Sequence, residues 1–160
     1  MLHYKTINSP TLGLLRQLLE IPEFQNLRLV GGTSLALQIG HRKSIDLDLF
    51  GQLKTDEFEI SKILSSIGDS ILLHKTPNIF IYTINEIKVD IVNYPYHWIE
   101  DVLKDDNLNL AGKKDISAMK LAAITGRGSK KDFIDLYFLL QEFSLERILS
   151  FYQEKYYDGS

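Results

Sequence analysis

The stretch from Leu29 to Phe50 constrains this chain more than any other. An apolar run meets Gly31-Gly32, Thr33-Ser34 opens a short helical pattern that stops at Gly40, and Ile45-Asp46-Leu47-Asp48-Leu49-Phe50 follows. That order predicts strand, tight turn, helix, strand. Side chains alternate across a strand, so Asp46 and Asp48 share one face while Ile45, Leu47 and Leu49 share the other. Two acids on one sheet face repel each other, and aspartate suits strands poorly. Such a pair needs a compensating partner, and a divalent cation is the usual one.

The turn before that pair has chemistry of its own. Glycines ahead of a helix let backbone N–H groups approach a phosphate, and the helix N-terminus adds a favourable partial charge. Thr33 and Ser34 can add hydroxyls to the same anion, or simply cap an ordinary strand-to-helix turn. The turn matches neither a Walker A loop nor the dinucleotide Gly-x-Gly-x-x-Gly pattern.

Along the rest of the chain, Ser9-Pro10 reads as an N-cap and first-turn proline for a helix carrying Leu12, Leu15 and Leu19. Thr55 is placed to cap a second helix, with Ile60, Ile63, Leu64 and Ile67 on one side and Gly68 at its end. Three β-type runs follow at Ile71–His74, Ile79–Ile84 and Ile87–Val92, the last two joined by an Asn85-Glu86 turn. In the third run Asp90 and Lys88 face opposite to Val89 and Ile91, which makes Asp90 a third strand-borne carboxylate. It can act as a general base or complete a metal shell, or it can pair with Lys88 on the surface. Tyr96 to Leu103 is expected to be a short helix and Lys104 to Asn109 a polar loop. Beyond them the chain reads as helical: Asp115 as the cap of a helix through Ile124 that stops at Gly126, Ser129 starting another, and Ser144 capping a last one. Phe133, Leu136, Tyr137 and Leu140 mark one face of the middle helix, and Leu145, Ile148, Leu149 and Tyr152 one face of the last. Mixed elements followed by helices alone give an α+β class: a core over 1–110 with a helical part, 111–160, packed on it as a single compact unit.

Composition narrows the function. With 160 residues, 44% of them hydrophobic, and no cysteine, the chain is long enough for a real core and excludes disulfides and thiolate metal sites. No basic-then-apolar leader and no long apolar run is present, which points to the cytoplasm and away from membranes. The net charge of -3 argues against a generally cationic nucleic-acid coat. Yet residues 111–135 hold Lys113, Lys114, Lys120, Arg127, Lys130 and Lys131 against only Asp115, Asp132 and Asp135. Lys120 is the lone charge in an apolar run and must snorkel or meet an anion, for which a triphosphate oxygen is suitable. Arg127, Lys130 and Lys131 cluster at an inter-helix turn, where they can clamp phosphate or form a basic surface. Asp132 fits a capping box with Ser129. The histidines, His3, His41, His74 and His97, show no metal-ligand spacing, and His41-Arg42 reads as structural or surface.

Two blocks together resemble a known family. Gly31-Gly32-Thr33 followed by Gly40-His41-Arg42-x-Ser44-x-Asp46-x-Asp48-x-Phe50, and later Lys120 through Arg127 and Lys131-Asp132-x-x-Asp135, are similar to the AbiEii/AbiGii-type nucleotidyltransferase toxins of the DNA polymerase β-like superfamily. The resemblance implies a nucleotidyltransferase-like small mixed β-sheet flanked by helices, Mg2+, and transfer of a nucleoside monophosphate from an NTP. It assigns Gly31, Gly32, Thr33, Ser44, Lys120 and Arg127 to the nucleotide, Asp46, Asp48 and Asp90 to metal, and Asp132 to completing the catalytic site. Members often act as the toxin of a toxin–antitoxin or abortive-infection pair, so a cognate antitoxin is an expected partner. Some modify tRNA, and a tRNA would bind here through 113–131, weakly and with steep salt dependence. Two alternatives stay open: an antibiotic-type enzyme acting on a small molecule, and a non-catalytic binding module with the same fold.

Overall fold

The computed structural model describes residues 1–157. In chain order it places α1 (Ser9–Leu19), β1 (Leu27–Val30), α2 (Gly31–Ile39), β2 (Leu47–Gly51), α3 (Glu57–Ser65), β3 (Ser70–Lys75), β4 (Ile79–Ile84), β5 (Ile87–Asn93), β6 (Leu103–Asp105), β7 (Leu108–Leu110), α4 (Lys113–Arg127), α5 (Lys130–Leu139) and α6 (Leu145–Tyr156). The strands form a single mixed sheet in the order β3-β4-β5-β2-β1-β7-β6. β2 runs antiparallel to β1 and parallel to β5, and the register aligns Val30, Asp48 and Asp90 in one row. This is the expected α+β architecture, a mixed sheet flanked by helices.

Alternation along β2 and β5 decides which side of the sheet is apolar. Leu47, Leu49, Val89 and Ile91 point to the face covered by α1 and α3, joining Leu15, Leu18, Leu29, Ile60, Leu64 and Tyr82 in the main core. On the opposite side Val30, Leu35, Ala111, Ile116, Leu139 and Ile148 form a second core where α2, α4, α5 and α6 meet. Asp48 and Asp90 therefore lie on the face that the main core does not use.

Several local expectations need correction. Asn8, not Ser9, caps α1, its carboxamide oxygen accepting from the Thr11 N–H at 2.9 Å. Asp56, not Thr55, caps α3, which ends at Ser65 before Gly68. The 96–103 segment is not helical, and the supposed loop after it is a hairpin, β6–β7, turning on Asp106 and Asn107 at positive φ. The cause is a long-range one. The Asp115 carboxylate accepts from the N–H groups of Ile99 at 2.8 Å and Glu100 at 3.0 Å, which holds that backbone in a bend outside any helix. Asp115 thus turns inward from the first turn of α4 rather than capping it, and α4 runs through Gly126 to Arg127.

Lys155 of α6 completes this tie. Its ammonium donates to Asp115 and to the His97 carbonyl, both at 2.8 Å, and both charged side chains are fully buried. Removing one partner strands the other charge in the interior. Lys155→Ala is expected to lower the unfolding free energy by about 3 kcal/mol, measured from the urea midpoint. A loss no larger than that of an exposed lysine would contradict this placement.

On α5 the predicted stripe faces outward except for Leu136, which packs against the second core: Phe133 is 54% exposed and Tyr137 60%, while Asp135 and Leu139 point inside. α6 likewise buries Ile148, Phe151 and Lys155 and leaves Leu145 and Leu149 exposed, with Ser144 as its cap as expected.

Candidate active site

A cleft of about 520 Å³ opens where the β1–α2 turn, β2, α4, α5 and the end of α6 meet. Gly31, Gly32, Thr33, Ser44, Asp46, Asp48, Lys120 and Asp132 line it. The structure thus gathers into one cavity expected site residues from Gly31 to Asp132, 101 positions apart in the chain.

The glycines are required by what lies over them. Gly31 has a left-handed φ of +70°, and a Cβ there would collide with the Asp48 carboxylate. A Cβ at Gly32 would collide with the Arg42 guanidinium. The helix that starts here has no side-chain cap, contrary to the role expected of Thr33 or Ser34. Its first N–H groups have no partner within the helix. The Thr33 hydroxyl instead donates to the Asp46 carbonyl, so the Ser44 hydroxyl, 2.5 Å from Thr33 Oγ1, is the donor in that second bond. This chain of hydroxyls fixes the loop that delivers Asp46 and Asp48.

Asp46 precedes the strand rather than standing on it, and Ile45 beside it is 57% exposed instead of core-facing. Asp48 and Asp90 are direct neighbours across the parallel β2–β5 pair. Asp90 is not among the residues lining the cleft; Lys88 draws it into an ion pair at 2.9 Å. Among the described residues no three His, Asp or Glu side chains converge tightly enough to enclose a metal ion, so the expected Asp46, Asp48 and Asp90 set is not gathered as a closed three-ligand cluster. Two features account for this: Asp46 lies outside the strand alternation, and Lys88 holds Asp90.

Burial, and then the facing Asp90 charge, push the Asp48 carboxyl up to about 7. Among the described residues Asp48 accepts no hydrogen bond. A half-buried acid beside a second acid, with free lone pairs, has the donor chemistry of a hard-cation ligand.

Lys120 is buried at the cleft edge, its ammonium 3.0 Å from Asp132 and 2.9 Å from Asp135. Asp132 also accepts from the Ser129 N–H at 2.9 Å in the capping box that the sequence suggested. Asp135 was missed as a site residue. Its carboxylate, with no exposed surface, accepts from Arg42 Nε at 2.7 Å, Arg42 Nη2 at 2.9 Å and His41 Nε2 at 2.6 Å. Burial raises this carboxyl, but the Arg42, His41 and Lys120 donors outweigh that and hold it well below the usual range. His41 and Arg42 are therefore structural members of the site, not surface groups. The signal was in the sequence: two basic residues beside Gly40, and an acid one turn beyond Asp132.

The basic segment does not form one continuous face. Lys113 pairs with Glu142, and Lys120 is held by two acids, whereas Arg127, Lys130 and Lys131 stay exposed around the α4–α5 turn. Of these, Lys131 lines the cleft and Arg127 does not.

The fold and sequence have relatives. An uncharacterized protein of Aquifex aeolicus, aq_aa25, is 36% identical over 134 residues, covering 80% of this chain and 65% of its own length. The chain thus spans under two thirds of that relative. The crystal structure of JHP933 from Helicobacter pylori superposes with a TM-score of 0.58 at 20% identity, over 91% of this chain and 73% of that one. The antibiotic-resistance factor ANT(2'')-Ia, in complex with adenylyl-2''-tobramycin, does so with a TM-score of 0.56 at 14% identity, over 85% of this chain and 94% of that one. At these identities the two structures show a shared fold. The model of the nucleotidyl transferase AbiEii toxin family, described as a type IV toxin–antitoxin system, matches residues 13–157. With nearly the whole described chain matched, including every residue of the cleft, this protein belongs to the AbiEii nucleotidyl transferase toxin family.

Proposed function

We propose that the protein is a nucleotidyltransferase that moves a nucleoside monophosphate from an NTP to an acceptor, acting as the toxin of a toxin–antitoxin pair. The observation that carries this reading is the row of Asp48 and Asp90 beside the helix start at Gly31–Thr33, with Lys120 across the same cleft. Family membership supports it independently. The open N–H groups at the start of α2 suit triphosphate oxygens, and Lys120 supplies a positive charge at the cleft edge. Asp46, Asp48 and Asp90 are the residues that would hold Mg2+, which when bound neutralises phosphate charge and favours attack at phosphorus. Asp90, the neighbour of Asp48 across the strands, would either complete that metal shell or, released from Lys88, accept the proton of an acceptor hydroxyl.

For the acceptor we propose a polyanion, tRNA, reaching the cleft past Arg127, Lys130 and Lys131. These three exposed cations surround the α4–α5 turn, from which Lys131 lines the cleft. The test is transfer of label from each of the four NTPs, with Mg2+, to total tRNA, beside an Asp46→Ala control. Label on tRNA with the native chain and none with the variant is the expected result. Label that appears equally in both would remove Asp46 from the chemistry; label found only on small acceptors would replace tRNA by an antibiotic-type substrate.

A further inference from the structure

The cleft has a second wall of a different kind. Beyond the glycine turn and the acids, it is also lined by Phe50, Tyr94 and Tyr156, each partly exposed. Phe50 follows Asp48 by one side-chain repeat on the same face of β2, about 7 Å along the strand. Tyr94 is fixed beside it, its N–H donating to the Gly51 carbonyl at 2.9 Å, and the Phe50 and Tyr94 rings lie 5.2 Å apart. Tyr156 comes from the end of α6, and its hydroxyl meets that of Tyr94 at 2.6 Å.

This wall is braced from behind. The Lys155 ammonium lies 5.1 Å from the Tyr94 ring centre and 4.3 Å from that of Trp98, and Asp115 and the His97 carbonyl hold it there. Rings so fixed have already lost their rotamer freedom, so a flat partner binds against them at little further entropic cost. From the geometry we infer that the Phe50–Tyr94–Tyr156 wall is the subsite for the nucleobase of the NTP. The inference rests on the nucleotidyl-transfer reading. With the triphosphate at the start of α2 and the acids at Asp48, a sugar spans the strand repeat to Phe50 and the base meets the rings.

The chemistry also indicates how selective the subsite is. Every base offers a π-face, so stacking is tolerant of sequence. The two tyrosine hydroxyls share one hydrogen bond, which leaves one hydroxyl hydrogen and several lone pairs to meet either donors or acceptors. A broad preference among the four NTPs follows.

Calorimetric titration of the full chain, in Mg2+, with each NTP and with inorganic tripolyphosphate tests this. The native chain is expected to bind NTPs more tightly than tripolyphosphate. Tyr156→Leu is expected to weaken all four NTPs by about tenfold and leave tripolyphosphate unchanged, whereas Tyr156→Phe, which keeps the ring, retains most of the NTP affinity. Equal loss for NTPs and tripolyphosphate, or no loss for either, overturns the base subsite while leaving nucleotidyl transfer standing. So does a native chain that binds tripolyphosphate as tightly as NTPs. A native chain that binds neither removes the nucleotidyl-transfer reading, and this inference with it.

Discussion

Replacing Asp48 by asparagine is expected to cut nucleotidyl transfer by about a hundredfold or more and, at the same time, to make the protein more stable in mildly alkaline buffer. Both effects come from one placement. Asp48 is set against Asp90 in a protein-lined row, and burial followed by that second charge lifts its carboxyl from 3.8 to about 7. The folded state therefore binds a proton that the unfolded state has already released. Stability is fullest below the unfolded value, falls as pH climbs from about 4 to 7, and is level above that. Thermal unfolding followed from pH 5 to pH 8 in a chelator should show this fall in the native chain and a flattened profile in Asp48→Asn. Added Mg2+ should then restore the native chain at pH 8 more than at pH 5, because a cation binds the ionised carboxylate. Restoration of equal size in the variant would show that the cation binds elsewhere.

The second large effect is expected at Asp135. This carboxylate takes Arg42 through two nitrogens, His41 through Nε2 and Lys120 through its ammonium, and has no exposed surface. Asp135→Ala would leave a guanidinium and an ammonium buried close together without their shared counter-charge. A loss of about 3–5 kcal/mol is the scale for such a broken buried pair, or roughly 10 °C in the melting temperature of a chain this long. Asp132 offers the internal comparison. It also holds Lys120, at 3.0 Å, but is partly exposed, and its other bonds are those of a helix cap. Asp132→Ala is expected to cost about 1 kcal/mol. Urea midpoints for the two variants decide the matter: losses of equal size would mean that Asp135 is not the hub of the cation cluster.

The order of these two acids shows where sequence reading succeeds and where it stops. Period-two alternation is a local property of strands, so it was legible that Asp48 turns away from Leu47 and Leu49 and Asp90 away from Val89 and Ile91, but not that their two strands are neighbours. The Ser129–Asp132 capping box, whose partners lie within one turn, was legible too. The role of Asp135 was not, because its partners His41 and Arg42 are more than ninety residues away, and an acid one turn beyond Asp132 does not by itself say what it holds. The same limit reversed α5. Helical spacing identified the Phe133–Tyr137–Leu140 stripe, but which face turns inward is set by the cations waiting for Asp135. The 96–103 segment was misread as a helix since its backbone is claimed by Asp115, fifteen and sixteen residues on.

The braced ring wall also bears on the order in which the cleft is completed during synthesis. The acids and the glycine turn lie in the first 90 residues, but Tyr156 and the ammonium that steadies the rings arrive only with α6. A nascent chain that has released its sheet therefore carries the glycine turn and the Asp48–Asp90 row, while Lys120, Asp132 and the ring of Tyr156 are still to come. Domains generally acquire structure from the N-terminal end during translation, and among the described elements that line the cleft α6 emerges after the others. On the nucleotidyl-transfer reading, the order of residues is itself a delay, because the wall that would grip a base forms after the acids and the glycine turn.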